Sequence, residues 1–166
     1  MVNRKRARFT CWEGGLRKLM RSADIEDVSL FVWKEEYGVN FPAIDTQHKR
    51  WFALAHEMHQ AAVTGKGKDV LSKTLSDFIA YTTTHFAAEE NLMLAHDYPG
   101  YGQHKVQHDA MAGKLTDFQR QFEAGRATLT LELLQFLKAW LSRHISTTDQ
   151  DMGAYLSAEG LPAHRT

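Results

Sequence analysis

Apolar side chains recur with the period of an α-helix in four stretches of this chain. Glycine and proline residues separate the stretches and are typical of helix ends and turns. The predicted helices run from Asp45, as N-cap, to about 65, then from about 69 to 96, 101 to 124, and 128 to 153, where the last one frays. Because short connections make neighbouring helices antiparallel, we predict an all-α, up-down-up-down four-helix bundle.

The same period predicts which side chains are buried, since one apolar stripe of each helix should face the bundle axis. The expected core positions are Trp51, Phe52, Leu54, Ala55, Met58 and Ala62, then Val70, Leu71, Leu75, Phe78, Ile79, Phe86, Met93 and Leu94, then Val106, Met111, Leu115, Phe118 and Phe122, and finally Leu131, Leu133, Leu134, Phe136, Leu137, Trp140, Leu141 and Ile145. A chain of 166 residues is long enough to enclose such a core in one domain.

The two ends of the chain lack this periodicity. Residues 1–30 are rich in arginine and lysine, and we predict a basic, poorly ordered extension. A docking arm for a partner is the alternative. The predicted bundle occupies residues 31–157 and opens with an extended segment that Pro42 ends. Residues 158–166 are the predicted C-terminal tail.

Charge and composition exclude several classes of function. Twenty basic and 20 acidic residues leave no net charge that would draw the chain to nucleic acid or to an anionic membrane. Cys11 is the only cysteine, so no intrachain disulfide can form. No run reaches the roughly 18 apolar residues of a membrane span, and the start lacks the apolar segment of a signal peptide. We therefore expect a cytoplasmic protein.

Histidine is the residue whose spacing carries chemistry. His85 and Glu89 are four residues apart, as are His104 and His108, so each pair lies on one helix face, one turn apart. His48 stands alone in the first predicted helix. The fourth predicted helix contains His144 with candidate carboxylates five and seven residues later, at Asp149 and Asp151. Neither spacing suits a single helix face, so periodicity alone assigns neither carboxylate.

Imidazole and carboxylate ligands suit iron, and also zinc, copper and nickel. A carboxylate can bridge two metal ions whereas an imidazole does not, so five histidines with two carboxylates indicate a dinuclear centre. No stretch holds enough ligands alone, and the centre requires four helices to bring their inner faces together. The remaining histidines are expected at the surface or in supporting positions, and they are His56, His59, His96 and His164.

These motifs resemble the hemerythrin family, and specifically the bacterial hemerythrins. The family pattern is a lone histidine, His-x-x-x-Glu, His-x-x-x-His and His-x-x-x-x-Asp. It is matched here by His48, by His85 with Glu89, by His104 with His108, and by His144 with Asp149. Flanking residues agree, namely Glu90, Met93, Tyr98-Pro99, Trp140-Leu141 and Ile145. The resemblance spans residues 31–157 and leaves residues 1–30 outside.

The resemblance implies two iron ions joined by an oxo or hydroxo bridge. It assigns His104, His108 and His144 to one iron, His48 and His85 to the other, and Glu89 and Asp149 to both as bridges. Two octahedral ions would then keep one open position, on the iron with fewer histidines, where dioxygen would bind. Apolar neighbours would line that pocket, and the candidates are Phe86, Trp140, Leu141 and Ile145.

The expected function is therefore reversible dioxygen binding, as a carrier, store or delivery protein, and no catalytic residue is assigned. Di-iron carboxylate bundles use four glutamates and two histidines. A centre richer in histidine carries less negative charge to stabilise highly oxidised iron, which favours binding over activation of oxygen. The alternatives are a di-iron enzyme acting on peroxide, nitric oxide or ferrous iron, and a module that senses oxygen or redox state. An oxygen-consuming or signalling partner is not identified.

Deletion of residues 1–30 tests the predicted domain boundary. Because every candidate ligand lies beyond residue 47, the truncated chain should keep its iron content and visible spectrum. Iron analysis of the full-length and truncated proteins makes the comparison. Loss of iron on truncation would show that the extension is part of the folded domain.

Overall fold

The computed structural model describes residues 30–160. Nearly all of the predicted extension (1–30) and most of the predicted tail (158–166) lie outside the described residues. Within them, the chain is helical and contains no strand. The elements are α1 (Pro42–Val63), α2 (Lys68–Ala95), α3 (Tyr101–Glu123) and α4 (Leu131–His144), followed by a π-helical turn (Ile145–Asp149) and α5 (Gln150–Ala158).

These elements form the predicted up-down-up-down four-helix bundle, in which α4, the π-helical turn and α5 together make the fourth arm. The connections between arms are short, in agreement with antiparallel neighbours. Among the described residues, no helix is long and apolar enough to cross a membrane.

The predicted starts of the first and fourth helices are wrong. Helix α1 begins at Pro42, because proline at the first helical position already has the required φ. Asp45 is therefore not the N-cap but lies in the first turn, where its carboxylate accepts a 2.8 Å hydrogen bond from the Val39 N–H. Helix α4 starts at Leu131 rather than near 128, since the Thr130 side chain caps it by accepting from the Leu133 N–H.

The fourth arm also continues past Gly153 to Ala158 instead of fraying there. Met152 and Leu156 are fully buried and pack with Met93 of α2. This small apolar cluster lies at the end of the bundle where α2 ends. It keeps the last turns helical because unwinding them would expose Met152 and Leu156 to water.

Trp51, Phe78 and Leu134 are among the largest fully buried side chains of the core. Five of the predicted core positions are instead exposed, namely Val70, Leu94, Val106, Leu131 and Phe136. Val106 shows the reason most directly. It lies two residues from both His104 and His108, and a residue two positions away on a helix points to the opposite side. Once those histidines face inward, Val106 must face outward.

The segment before α1 packs on the bundle, but it is not uniformly extended as predicted. A 3₁₀ turn at Glu35–Tyr37 interrupts it. The Tyr37 ring stacks on Phe52 of α1, with centroids 5.3 Å apart, and its hydroxyl donates a hydrogen bond to Ser142 of α4. The segment thus ties the first and fourth arms together.

Gly153 provides the closest backbone approach in this region. A Cβ atom at Gly153 would lie 3.0 Å from the Val39 Cβ and closer still to the Val39 carbonyl oxygen. Helix α5 and the segment before α1 can therefore meet only at a residue without a side chain.

Gly153→Ala should destabilise the protein by about 1–3 kcal/mol, because a backbone carbonyl would have to move to admit the methyl group. Gly113→Ala is the matched control, since nothing lies within 4 Å of its Cβ position in mid-helix α3. That control should stabilise by up to about 1 kcal/mol through helix propensity. Denaturant unfolding measures both changes. Equal effects of the two substitutions would contradict the packing argument.

Candidate metal centre

Seven titratable side chains converge inside the bundle. They are His48 of α1, His85 and Glu89 of α2, His104 and His108 of α3, His144 of α4 and Asp149 of the π-helical turn. Each is at most 2% exposed. In the described residues, only His59 and Thr82 are other buried polar side chains. The structure thus brings all seven predicted ligand positions together.

Three of the histidines form one group around a common point. The Nε2 atom of His108 lies 3.0 Å from Nε2 of His104 and 3.0 Å from Nε2 of His144. The outer nitrogens of His108 and His144 each face an acceptor oxygen, so we assign the proton there and a lone pair to each Nε2. Converging lone pairs repel one another, and a cation between them turns that repulsion into attraction.

The two carboxylates face both histidine groups at once. Oε1 of Glu89 lies 3.4 Å from His48 Nε2 and 3.6 Å from His85 Nε2. Its other oxygen, Oε2, lies 3.3 Å from His108 Nε2 and 3.5 Å from His104 Nε2. The carboxylate therefore spans the space between a pair and a triplet of imidazoles.

Asp149 repeats this arrangement from the opposite arm. Its Oδ2 lies 3.2 Å from His48 Nε2, whereas its Oδ1 lies 3.0 Å from His144 Nε2 and 3.2 Å from His104 Nε2. The result is two sets of candidate ligands, one with three histidines and one with two. Within each set, the ligand atoms lie within 4.8 Å of one another. Both sets share Glu89 and Asp149, which is the arrangement of a dinuclear site with two bridges.

The π-helical turn explains how residues five apart can serve one site. Ile145–Asp149 adopts a π-helix, whose hydrogen bonds join residues i and i+5. His144 and Asp149 therefore stack on one face, although an α-helix would separate them. A local change of helix type therefore makes a five-residue spacing suitable for one site, which an α-helix would not do. Asp151, the competing carboxylate, is exposed and has no place in the site.

Buried atoms without partners show that a cation fits here. Within residues 30–160, no hydrogen bond reaches either oxygen of Glu89, either oxygen of Asp149, or Nε2 of His48 and His85. Each unsatisfied buried polar group costs about 1–3 kcal/mol, and charged groups cost more. So many orphaned acceptors around two foci are stable only if positive charge lies among them.

The protein's own electrostatics hold His85, Glu89 and Asp149 in their metal-binding forms. Although burial alone would lower it, the two carboxylates raise the pKa of His48 and of His104 to about 9, so a metal ion would have to displace a proton from each of these two imidazoles. Burial lowers the pKa of the His85 imidazole to about 4, so that it stays neutral. Burial alone would raise the pKa of both Glu89 and Asp149. The surrounding imidazoles nevertheless keep the pKa of each carboxyl well below its usual range. Neutral imidazole and ionised carboxylate are the forms that bind metal.

Three ligand histidines are oriented from outside by oxygen atoms. The Nδ1 atom of His85 lies 3.0 Å from Gln47 Oε1, that of His144 lies 3.1 Å from Gln107 Oε1, and that of His108 lies 3.2 Å from Glu90 Oε1. Sequence reasoning missed both glutamines. Their only signal was position, since each directly precedes a ligand histidine in a helix.

Aromatic rings cover the imidazoles. Phe86 stacks on His108 with centroids 3.7 Å apart, and Trp140 stacks on His144 at 4.5 Å. Of the four predicted pocket residues, Phe86, Leu141 and Ile145 are buried and Trp140 is half-buried. Trp51, predicted only as a core residue, also lies against the site, 4.8 Å from the His85 ring.

The other histidines that the structure describes, His56, His59 and His96, do not join the centre. His56 and His96 are half-buried, and His164 lies outside the described residues. His59 was expected at the surface or supporting the centre, but it is buried, with its ring 6.4 Å from Phe31. His59 lies eleven positions after His48 in the helix, which is roughly 16 Å along the axis.

Fold and site together define a four-helix-bundle protein with a candidate dinuclear metal centre. Comparison with known sequences identifies the family. The family model described as "Hemerythrin HHE cation binding domain" matches residues 40–156. This chain belongs to the hemerythrin family. The bacteriohemerythrin of Methylococcus capsulatus is 34% identical over 132 residues, which make up 79% of this chain and 100% of that protein.

A second relative and a solved structure agree. The myohemerythrin of Sipunculus nudus is 34% identical over 72% of this chain and 88% of its own length. A crystal structure of wild-type hemerythrin is similar to this chain with a TM-score of 0.74 and 34% sequence identity. The match covers 78% of this chain and 99% of the hemerythrin chain. Family membership supports an iron-binding and oxygen-binding role, and the hemerythrin domain binds a di-iron centre.

His85→Ala tests the ligand assignment. The variant should bind one iron ion per chain instead of two, because the smaller group would keep only three of its four ligand residues. His96→Ala is the matched control and should retain both ions, since His96 lies outside both ligand groups. Iron analysis of the purified proteins gives the answer. Two ions per chain in His85→Ala would reject the assignment.

Proposed function

We propose that this protein binds dioxygen reversibly at a di-iron centre and acts as an oxygen carrier, store or delivery protein rather than an enzyme. The ligands would be His104, His108 and His144 on one iron, His48 and His85 on the other, and Glu89 and Asp149 bridging both. When bound, the two iron ions supply the redox chemistry by which dioxygen is held. The protein supplies their spacing, their asymmetry and their isolation from water.

The observation that carries this proposal is the unequal division of histidines around two shared carboxylates. The oxygen atoms of Glu89 and Asp149 are divided between a group of three imidazoles and a group of two. Both groups share the same bridges, so the group with fewer imidazoles offers fewer protein ligands. An exogenous molecule as small as dioxygen can then bind on that side.

A lack of buried proton donors favours binding over chemistry. Reduction of dioxygen or peroxide to water consumes protons, which an enzyme must deliver through positioned acids. Within residues 30–160, Thr82 and His59 are the buried polar side chains besides the seven candidate ligands, and the buried Tyr37 donates its hydroxyl proton to Ser142. Thr82 donates to a backbone carbonyl and accepts from the Trp51 indole, and His59 is remote along α1. No acid is positioned to deliver protons from the bundle interior.

Apolar side chains exclude water from the same region. Phe86 and Trp51 lie face to edge, 5.6 Å apart, and each contacts a ligand imidazole. Leu141 and Ile145 are essentially inaccessible to solvent. Exclusion of water slows proton entry and the loss of bound oxygen in reduced form, which reversible binding requires.

The cytoplasmic location stays a prediction from the sequence.

The visible spectrum of the iron-loaded protein tests the function. The protein is reduced without air, exposed to oxygen and returned to an oxygen-free atmosphere over several cycles. A visible absorption band that appears with oxygen and disappears on its removal, at constant amplitude, is the expected result. His85→Ala, prepared in the same way, should lose the reversible band because one iron site is incomplete.

Two other outcomes would overturn the proposal. Immediate conversion to a stable oxidised form, with turnover of added peroxide or nitric oxide, would make the protein an enzyme. A reversible band accompanied by an oxygen-dependent change in binding to a partner protein would make it a sensor.

A further inference from the structure

The outer partners of the ligand histidines differ in charge. Gln47 and Gln107 present neutral amide oxygens to His85 and His144. Glu90 presents a carboxylate to His108, 3.2 Å from its Nδ1. The outer nitrogens of His48 and His104 have no hydrogen-bond partner among the residues that the structure describes. Among the five imidazoles, His108 alone is therefore polarised by a charged acceptor.

Successive residues of α2 face the two nitrogens of His108. Glu89 Oε2 lies 3.3 Å from its Nε2, and Glu90 Oε1 lies 3.2 Å from its Nδ1. The ring of Phe86, from the same helix, stacks on the imidazole with an interplanar angle of 8°. Helix α2 thus orients this ring through the contact of Glu90 with its Nδ1 and through the stacked Phe86, and the Nε2 lone pair points toward the bridging carboxylate.

Glu90 is itself held in place from α3. Its second oxygen lies 3.2 Å from Lys105 Nζ, and Lys105 lies 2.8 Å from Asp109 Oδ1. The Glu90 side chain is only 19% exposed, whereas that of Asp109 is 64% exposed. Ion pairs this exposed are weak, but the chain of contacts keeps Glu90 aimed at the imidazole. Its position therefore does not depend on a single contact.

We propose that Glu90 is a positioning residue that makes His108 the most strongly electron-donating imidazole of the centre. An imidazole whose N–H donates to a carboxylate becomes a more basic metal ligand than one whose N–H donates to an amide. A more basic ligand stabilises the more oxidised iron. Glu90 therefore lowers the reduction potential of the iron in the three-histidine group and increases its affinity for the protein. This inference rests on the ligand assignment proposed above.

Substitutions at Glu90 separate the charge from the hydrogen bond. Glu90→Gln keeps an acceptor oxygen and removes the charge, so it should retain two iron ions and raise the reduction potential. Glu90→Ala removes both and should weaken binding of one iron about 10- to 100-fold. Gln107→Glu is the reciprocal change at His144 and should lower the potential. Redox titration measures the potentials, and competition with a chelator measures the iron affinity.

Asp109→Asn is the matched control for charge. It removes the same unit of charge from the same ion-pair chain, but Asp109 makes no contact with an imidazole in that chain. The inference holds if Glu90→Gln shifts the potential more than this control does and Gln107→Glu shifts it the opposite way. The inference would be overturned if the reduction potential of Glu90→Gln equalled that of the wild type or that of Asp109→Asn. A wild-type protein without two iron ions would overturn the proposed function as well.

Discussion

Burial of two carboxylates and five imidazoles in one apolar bundle is the constraint on which the rest of this structure depends. Glu89 and Asp149 have no hydrogen-bond partners in the described part of the chain and are not exposed to solvent, so their charge needs compensation from within the bundle. A pair of cations shared by all four arms provides it. The arms must then hold their spacing closely, and apolar packing around Trp51 and the contact at Gly153 supply that rigidity.

Asymmetry is the second property of the centre. Three imidazoles lie on one side and two on the other, and the outer partners differ as well, with amides at His85 and His144 and a carboxylate at His108. The two candidate metal positions would therefore differ in the number of protein ligands and, by the proposal for Glu90, in ligand basicity. Such inequality suits a task in which one ion binds a small molecule while the other remains saturated with protein ligands.

Periodicity explains what could be predicted about the site and what could not. His85 with Glu89 and His104 with His108 follow directly from helical spacing, and the structure places both pairs inward. His48 and Asp149 rested on the family resemblance, because a lone histidine and a five-residue spacing have no helical signature. The prediction that Val106 is buried is wrong for a related reason, since the inward direction of its two histidine neighbours decides its side more strongly than its own hydrophobicity does.

By itself, the sequence determined the helical class, the four-arm topology and the types of metal ligand, because these depend on local period, turn residues and side-chain chemistry. Only the tertiary structure decided the π-helical turn that brings Asp149 beside His144. It also decided which oxygen of each carboxylate faces which histidines, and which residues hold the outer imidazole nitrogens. Those features depend on atoms from different helices meeting in space, and contacts between distant residues leave no periodic signal in a single chain.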